Sequence, residues 1–261
     1  MPAAQLMPAL FVGHGNPLNA LRRNAWTEGW HTLGRSVPKP RAVLAISAHW
    51  YVRGTRVTAD ERPETIHDFV GFPDELYRVP YPAPGDPALA AKVVKLLAPT
   101  QVALATDWGL DHGTWSVLAH VFPTADVPVV QLSIDRTQPP AFHHALGERL
   151  GALREDGVLV VGSGNVVHNL GAYAWGDHPV APYDWALRFE ETVKRAIVAR
   201  DHRPLVDYTA LGTDALLSVP TPEHFLPLLT VLGLHRQGEP VSFPVEGVDG
   251  GSISMLAVRI G

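Results

Sequence analysis

The chain contains no cysteine among its 261 residues, and this absence excludes several kinds of chemistry. Without cysteine there can be no disulfide bond, no thiolate nucleophile and no sulfur-rich structural zinc site. A metal ion bound by this protein would therefore need nitrogen and oxygen ligands. Histidine is the abundant donor, because the chain contains 13 of them.

The sequence also lacks a long apolar run and an excess of basic charge. No apolar stretch approaches the ~20 residues that cross a bilayer. The formal net charge of -5 argues against nucleic-acid binding, which requires a basic surface. No basic region precedes the first apolar run, which argues against a signal peptide. We expect a cytoplasmic protein that binds neither nucleic acid nor membrane, and the oligomeric state stays open.

The pattern of apolar residues predicts an α/β fold. With 46% hydrophobic and 18% charged residues, the chain can bury a large core. Continuous apolar runs, typical of strands covered on both faces, lie at 10–12, 42–48, 127–133 and 157–162, and a further strand is expected at 252–260. Helical patterns occur at 18–33, 87–97, 139–155 and 183–200. Strands alternating with helices predict helices on both faces of a mixed, mostly parallel sheet. No linker is evident, so 1–261 is expected to be one domain.

Three histidines follow buried strands. His14 lies in the turn G-H-G after the first strand, where Gly13 and Gly15 permit backbone angles closed to other residues. His49 ends A-V-L-A-I-S-A-H, and His168 follows G-V-L-V-V-G-S-G-N-V-V. Because the carboxyl ends of parallel strands meet at one edge, these side chains are expected to converge there. The competing interpretation is a set of unrelated turn histidines.

Other histidines fall in loops and helices. His112 lies in D-H-G, a predicted turn, and His224 lies in T-P-E-H-F-L, in the predicted first turn of a helix. The proline- and aromatic-rich segment 61–86 is interpreted as a wall or lid, in which His67 is expected to bond Asp68 or the backbone. The remaining histidines are expected on the surface or in packing: His31, His120, His143, His144, His178, His202 and His235.

These stretches together resemble the class III extradiol ring-cleaving dioxygenases, most closely their bacterial 4,5-DOPA extradiol dioxygenase-like group. The resemblance is carried, in order, by L-F-V-G-H-G-N-P, L-A-I-S-A-H-W-Y, T-I-H-D-F-V-G-F-P, D-H-G-T-W, V-V-Q-L-S-I-D, S-G-N-V-V-H-N-L, T-P-E-H-F-L-P-L and S-I-S-M-L-A-V. It covers nearly the whole chain. It implies a three-layer α/β/α sandwich, a mononuclear non-haem metal, and O₂-dependent cleavage of a catechol to a muconic semialdehyde.

The resemblance also implies roles for individual residues. His14 and His49 match the family's paired metal ligands, and His224 lies in the segment that supplies the third. His168 matches the base beside the metal and, in resting forms, a fourth ligand, while His112 matches a second catalytic histidine. Many class III enzymes use glutamate as the third ligand, so Glu223 competes with His224, and His224 is preferred here. Fe(2+) is implied for turnover, and Zn(2+) is a plausible metal on isolation.

Two alternatives use the same residues differently. An open histidine site can activate water, so a zinc-dependent hydrolase is the first alternative. A non-catalytic relative that binds a metal or a partner is the second. The histidines at 112 and 168 favour an enzyme, because a binding module needs no proton-transfer groups. For His112 itself, a structural role bonded to Asp111 is the competing interpretation.

Overall fold

The structure is a computed structural model that describes residues 6–176 and 180–261. Its strands are β1 Ala9–Gly13, β2 Ala42–Val52, β3 Thr55–Thr58, β4 Val102–Ala105, β5 Val129–Asp135, β6 Val158–Gly164, β7 Val241–Val245, β8 Val248–Asp249, β9 Ile253–Ser254 and β10 Ala257–Ile260. Its helices are α1 Ala25–Ser36, α2 Pro87–Leu96, α3 His112–Val121, α4 Pro140–Leu150, α5 Asp184–Val198, α6 Arg203–Val206, α7 Thr213–Ser218 and α8 Leu226–Gly233.

Eight strands form one mixed sheet, in the order β4-β3-β5-β2-β6-β1-β10-β7. Four of its seven strand pairs are parallel, including the central β5-β2-β6-β1 group. The other three pairs are antiparallel and lie towards the two edges. A second, two-stranded sheet pairs β8 with β9. The mixed α/β architecture predicted from the sequence is therefore confirmed.

The sheet separates two hydrophobic cores. In β2, Leu44 and Ile46 point to one face and pack in the core that contains α2, α4, α5 and α8. Val43 and Ala45 point to the other face and pack in the core that contains α1 and α3. Residues 42–48 are buried throughout, as their continuous apolar pattern predicted. The helices thus cover both faces, which gives the three layers.

Several predicted elements need correction. The segment 18–33 is not one helix, because Asn24 caps a helix that begins only at Ala25. Residues 252–260 form two strands in different sheets, and β7 and β8 were missed because their short, partly exposed segments carry little apolar signal. His112 begins α3 rather than lying in an open turn, and α8 begins at Leu226, after His224.

Among the residues that the structure describes, none of the helices has the length and apolarity that crossing a bilayer requires.

Candidate metal centre

Three histidines converge near the carboxyl ends of the central strands. His14 follows β1 directly. Gly15 has a φ of +58° as predicted, whereas Gly13 ends β1 with an ordinary φ and is glycine because a β-carbon there would lie 2.6 Å from the carbonyl oxygen of Ser254. His49 lies within β2, in a stretch where pairing with β5 is interrupted between Ile46 and Tyr51. His14, His49 and His224 each offer a nitrogen, and these three atoms all lie within 4.8 Å of one another. Of the three strand-end histidines expected to converge, His14 and His49 belong to this group, and its third member is His224 rather than His168.

The hydrogen-bond partners of His14 and His49 leave two lone pairs facing each other. Ser163 Oγ donates to the carbonyl of Gly113 at 2.5 Å, so it accepts from His14 Nδ1–H at 3.0 Å. His49 Nδ1 lies 3.3 Å from a carboxylate oxygen of Asp68, which favours a proton on that nitrogen. Both Nε2 atoms are then unprotonated, and they lie 3.2 Å apart. Two lone pairs at this distance repel unless a cation lies between them.

The spacing suits a transition-metal ion. Bonds of about 2.1 Å from a tetrahedral ion place two ligand nitrogens about 3.4 Å apart. The two Nε2 atoms at 3.2 Å are close to that separation. An all-imidazole set suits Zn(II), Fe(II), Ni(II) and Cu(II), and does not by itself choose among them.

His224 reaches this group because two segments approach closely at the end of β6. A β-carbon on Gly164 would lie 2.1 Å from the carbonyl oxygen of His224, so only glycine fits there. The same carbonyl accepts a hydrogen bond of 2.9 Å from the backbone N–H of Asn165. His224 is buried, whereas Glu223 is half-buried and accepts from Thr221 at 2.7 Å. Glu223 Oε1 also lies 3.3 Å from His224 Nδ1, and the preference for His224 as the third ligand stays a prediction.

His112 and His168 each lie against one histidine of this group. The ring of His112 lies 3.8 Å from that of His49, and the ring of His168 stacks on that of His224 at 3.5 Å and 6°. No nitrogen of His168 belongs to the 4.8 Å group of His14, His49 and His224. His168, Glu223 and His224 form a second group of possible metal ligands, whose ligand atoms also lie within 4.8 Å of one another.

All five histidines line one cavity of about 280 Å³. Its other walls are mainly apolar and aromatic, and include Phe72, Leu170, Tyr173, Trp175 and Ile253. Phe72 comes from the irregular segment 61–86, so that segment forms part of the wall as predicted. A planar aromatic ring can enter such a cavity with its polar substituents directed at the histidines.

Comparison with known proteins gives the family. Residues 24–246 match the model of the catalytic LigB subunit of aromatic ring-opening dioxygenase. The chain belongs to the LigB family of dioxygenases. It is 52% identical to a 4,5-DOPA dioxygenase extradiol of Escherichia coli K12, covering 98% of this chain and 95% of the relative. It is 35% identical to a protein of the same name from Beta vulgaris, covering 94% and 92%.

A solved structure agrees with this family. The crystal structure of an uncharacterized Escherichia coli K12 protein matches with a TM-score of 0.85 and 48% identity, covering 98% of this chain and all of that chain. The resemblance inferred from the sequence motifs is confirmed. The chain is an extradiol ring-cleavage dioxygenase of the LigB family, and metal dependence is general for that family.

Asp68 is a residue of this LigB-family site that the sequence interpretation missed. One carboxylate oxygen lies 3.3 Å from His49 Nδ1, and the other lies 3.0 Å from His112 Nδ1. The backbone N–H of His112 donates to Asp68 Oδ1 at 2.8 Å. Asp68 therefore lies beside the Nδ1 atoms of both rings, and its negative charge favours a proton on each of them. His67 was expected to bond Asp68 or the backbone. It contacts the backbone carbonyl of Val79 at 3.1 Å.

The sequence pattern does not predict that Asp68 belongs to the site, because its partners His49 and His112 lie 19 and 44 residues away in the chain. The only signal was a carboxylate within the aromatic segment 61–86. Of the histidines assigned to surface or packing, His178 lies outside the described residues.

Burial keeps the imidazoles neutral. It lowers the pKa of His14 and His224 well below the usual value, and neighbouring imidazoles lower both further. Burial also lowers the pKa of His49 to about 3 and that of His168 to about 4. Burial alone would raise the pKa of Asp68, but its contacts with His112 and His49 lower it to about 2. The donors are thus ready to bind a cation at neutral pH.

Replacing Asp68 with asparagine is expected to weaken metal binding by about 10- to 100-fold, because the Asp68 carboxylate orients the ring of His49. The amide presents an N–H to one of the two rings and cannot accept from both. Affinity is measured by competition with a chromogenic chelator. Asp74→Asn is the matched control, because Asp74 is exposed in the same segment and contacts Arg78 instead. Equal affinities for wild type and Asp68→Asn would exclude this orienting role.

Acidification of the metal-free protein is expected to lower its Tm. The folded-state pKa values of His14, His49, His168 and His224 lie below the unfolded value near 6.5, so unfolding takes up protons as the pH falls from about 6.5 towards 4. The stabilisation from the neutral histidines is therefore fully present above about pH 6.5, and it is lost as the pH falls through this window. Calorimetry at pH 7.5 and pH 5.0 tests the sign. An unchanged or higher Tm at pH 5.0 would contradict the neutral histidine cluster.

Proposed function

We propose that this LigB-family enzyme cleaves the ring of a small catechol, DOPA-like or simpler, beside its two hydroxyls with O₂. The product would be a muconic semialdehyde, which contains both oxygen atoms of O₂. The observation that carries the proposal is the cavity that presents His14, His49 and His224 to an aromatic-sized space. The names of the Escherichia coli and Beta vulgaris relatives support a DOPA-like substrate.

We assign His14, His49 and His224 as the ligands of one metal ion, and Fe(2+) as the ion for turnover. These three imidazoles would hold the ion at the cavity that the catechol enters. Bound iron would supply the redox chemistry that lets a singlet catechol react with triplet O₂, which Zn(2+) cannot supply. The same imidazoles suit Zn(2+), so zinc is expected to compete during isolation. Glu223 stays outside this ligand set.

His168 is assigned as the base. A catechol must lose protons from its hydroxyls to chelate, and a neutral imidazole accepts one at neutral pH. Burial favours the neutral form of His168, because it lowers the pKa to about 4. The stacking on His224 places the ring of His168 beside a ligand, at the edge of the cavity. His168 can therefore remove a hydroxyl proton as the substrate binds and return it later.

His112 is assigned to the opposite side of the substrate. Asp68 Oδ1 faces its Nδ1 at 3.0 Å, so the remaining nitrogen is directed away from the carboxylate. A histidine held in this way can donate or accept a hydrogen bond at oxygen atoms that gain negative charge during the reaction. Asp111 caps α3 through the N–H of Thr114, so the structural pairing considered for His112 involves Asp68 rather than Asp111.

The chain is proposed to act as one catalytic domain over residues 1–261, with a cytoplasmic location as the sequence-based expectation. Its partners are the catechol and O₂. Both cores pack against the same sheet, and residues from β1, β2 and the α8 segment meet at the site. These contacts support a single catalytic unit.

An anaerobic assay tests the proposed function. The protein is freed of metal, loaded with Fe(II) or Zn(II), and mixed with a panel of catechols before air is admitted. The expected result is one O₂ consumed per catechol and a yellow semialdehyde, with the iron-loaded protein alone. Ester or amide hydrolysis by the zinc-loaded protein without O₂ uptake would instead support the hydrolase alternative.

A further inference from the structure

The cavity has one charged end. Among the described residues that line it, Asp249 is the single carboxylate, and none is lysine or arginine. A ligand that enters the cavity therefore meets a carboxylate at Asp249.

The strand register places Asp249 opposite the proposed base. Ile253 pairs with His168 on one side and with Asp249 on the other. Directly paired residues project their side chains to the same face of a sheet, so all three side chains face the cavity. Two strand spacings separate the backbones of His168 and Asp249 by about 10 Å. Ile253 forms an apolar floor between them.

Two aromatic residues shape the surroundings of the carboxylate. The hydroxyl of Tyr173 donates to Asp249 Oδ2 at 3.0 Å and orients it. Trp175 packs edge-on against Tyr173 with ring centroids 4.7 Å apart, and 68% of Trp175 is exposed. The segment is tied to the hairpin, because the N–H of Ala174 donates to the carbonyl of Gly250 at 2.9 Å. A carboxylate beside aromatic faces is an arrangement that binds ammonium groups.

We propose that Asp249 forms an ammonium subsite that selects catechols with a cationic amine on a short side chain. This inference rests on the proposed catechol chemistry and names the class of substrate for the same cavity. The hydroxyls of such a ligand lie near His168, its ring and methylenes lie over Ile253, and its ammonium pairs with Asp249. An anionic side chain at the same position is repelled.

Three substrates of one skeleton test the subsite: dopamine, which is cationic, 4-ethylcatechol, which is neutral, and 3,4-dihydroxyphenylpropionate, which is anionic. Asp249→Asn is expected to lower kcat/KM for dopamine about tenfold, through KM, because one partly desolvated charge pair is lost. Cleavage of 4-ethylcatechol is expected to stay within about twofold, because a neutral side chain has no charge to pair. Glu246→Gln is the matched control, since Glu246 pairs with Lys194 outside the cavity lining.

Binding to the zinc-loaded protein gives a readout that does not depend on turnover. Calorimetry is expected to show tighter binding of dopamine than of 4-ethylcatechol to wild type, and equal binding of the two to Asp249→Asn. If Asp249→Asn lowers kcat/KM equally for all three substrates, or if wild type binds dopamine no more tightly than 4-ethylcatechol, the proposed subsite is wrong. If wild type cleaves none of the three, the proposed ring cleavage fails, and the binding measurement alone decides the role of Asp249.

Discussion

Replacing His14 with alanine is expected to abolish turnover and to leave the protein almost free of metal. His14 supplies one of the two Nε2 atoms that face each other 3.2 Å apart. Losing a group that only supports a ligand costs about 10- to 100-fold in affinity, so losing a ligand itself is expected to cost more. Elemental analysis after loading with one equivalent of Fe(II) or Zn(II) measures the effect.

A buried histidine outside the site provides the control for His14. His143 lies in α4 and is 1% exposed, so His143→Ala also removes a buried imidazole. We expect this variant to bind metal like wild type, even if its stability falls. Ordinary metal content and turnover in a folded His14→Ala protein would refute the ligand assignment. Glu223→Gln should keep its metal, and loss of metal there would transfer the third-ligand role to Glu223.

Replacing His168 with alanine is expected to lower kcat by about 10²- to 10⁴-fold, the usual contribution of a positioned acid or base. Metal content is expected to stay near that of wild type, because the nitrogens of His14, His49 and His224 form a group without His168. The defect should also depend on pH. At high pH the catechol loses its own proton more readily, so part of the lost rate should return.

Single-turnover kinetics on the iron-loaded protein distinguish a role of His168 in proton transfer from a purely structural role. Removing His168 also removes its stack on His224, so metal affinity is measured in parallel by chelator competition. His168→Gln keeps a polar side chain but cannot accept a proton as imidazole does, and it should be nearly as slow as His168→Ala. Wild-type turnover in either variant would remove His168 from the mechanism.

The sequence predicted the strands that carry the site, and the reason is physical. Residues 42–48 are apolar without interruption, which a strand covered by helices on both faces requires. Once the strands were placed, parallel topology implied that His14 and His49 meet at one edge. The family resemblance supplied the third position, His224, which no local spacing connects to the others.

The contacts that the sequence could not predict form between segments that lie far apart in the chain and pack together in the fold. Asp68 joins His49 and His112 from an irregular segment without periodicity. Asp249 reaches the cavity through a two-residue strand, too short to give an alternating pattern. The capping of α1 by Asn24 was also missed, because apolar residues before it suggested an earlier start. Such positions are set by pairing between distant segments.

The most direct test of the three-histidine metal site is anomalous diffraction from crystals of the protein loaded anaerobically with Fe(II). We expect one strong peak at the iron edge per chain, within about 2.2 Å of a nitrogen from each of His14, His49 and His224. A peak coordinated by Glu223 and His168 without His14, or no peak in protein that still cleaves catechol, would contradict it.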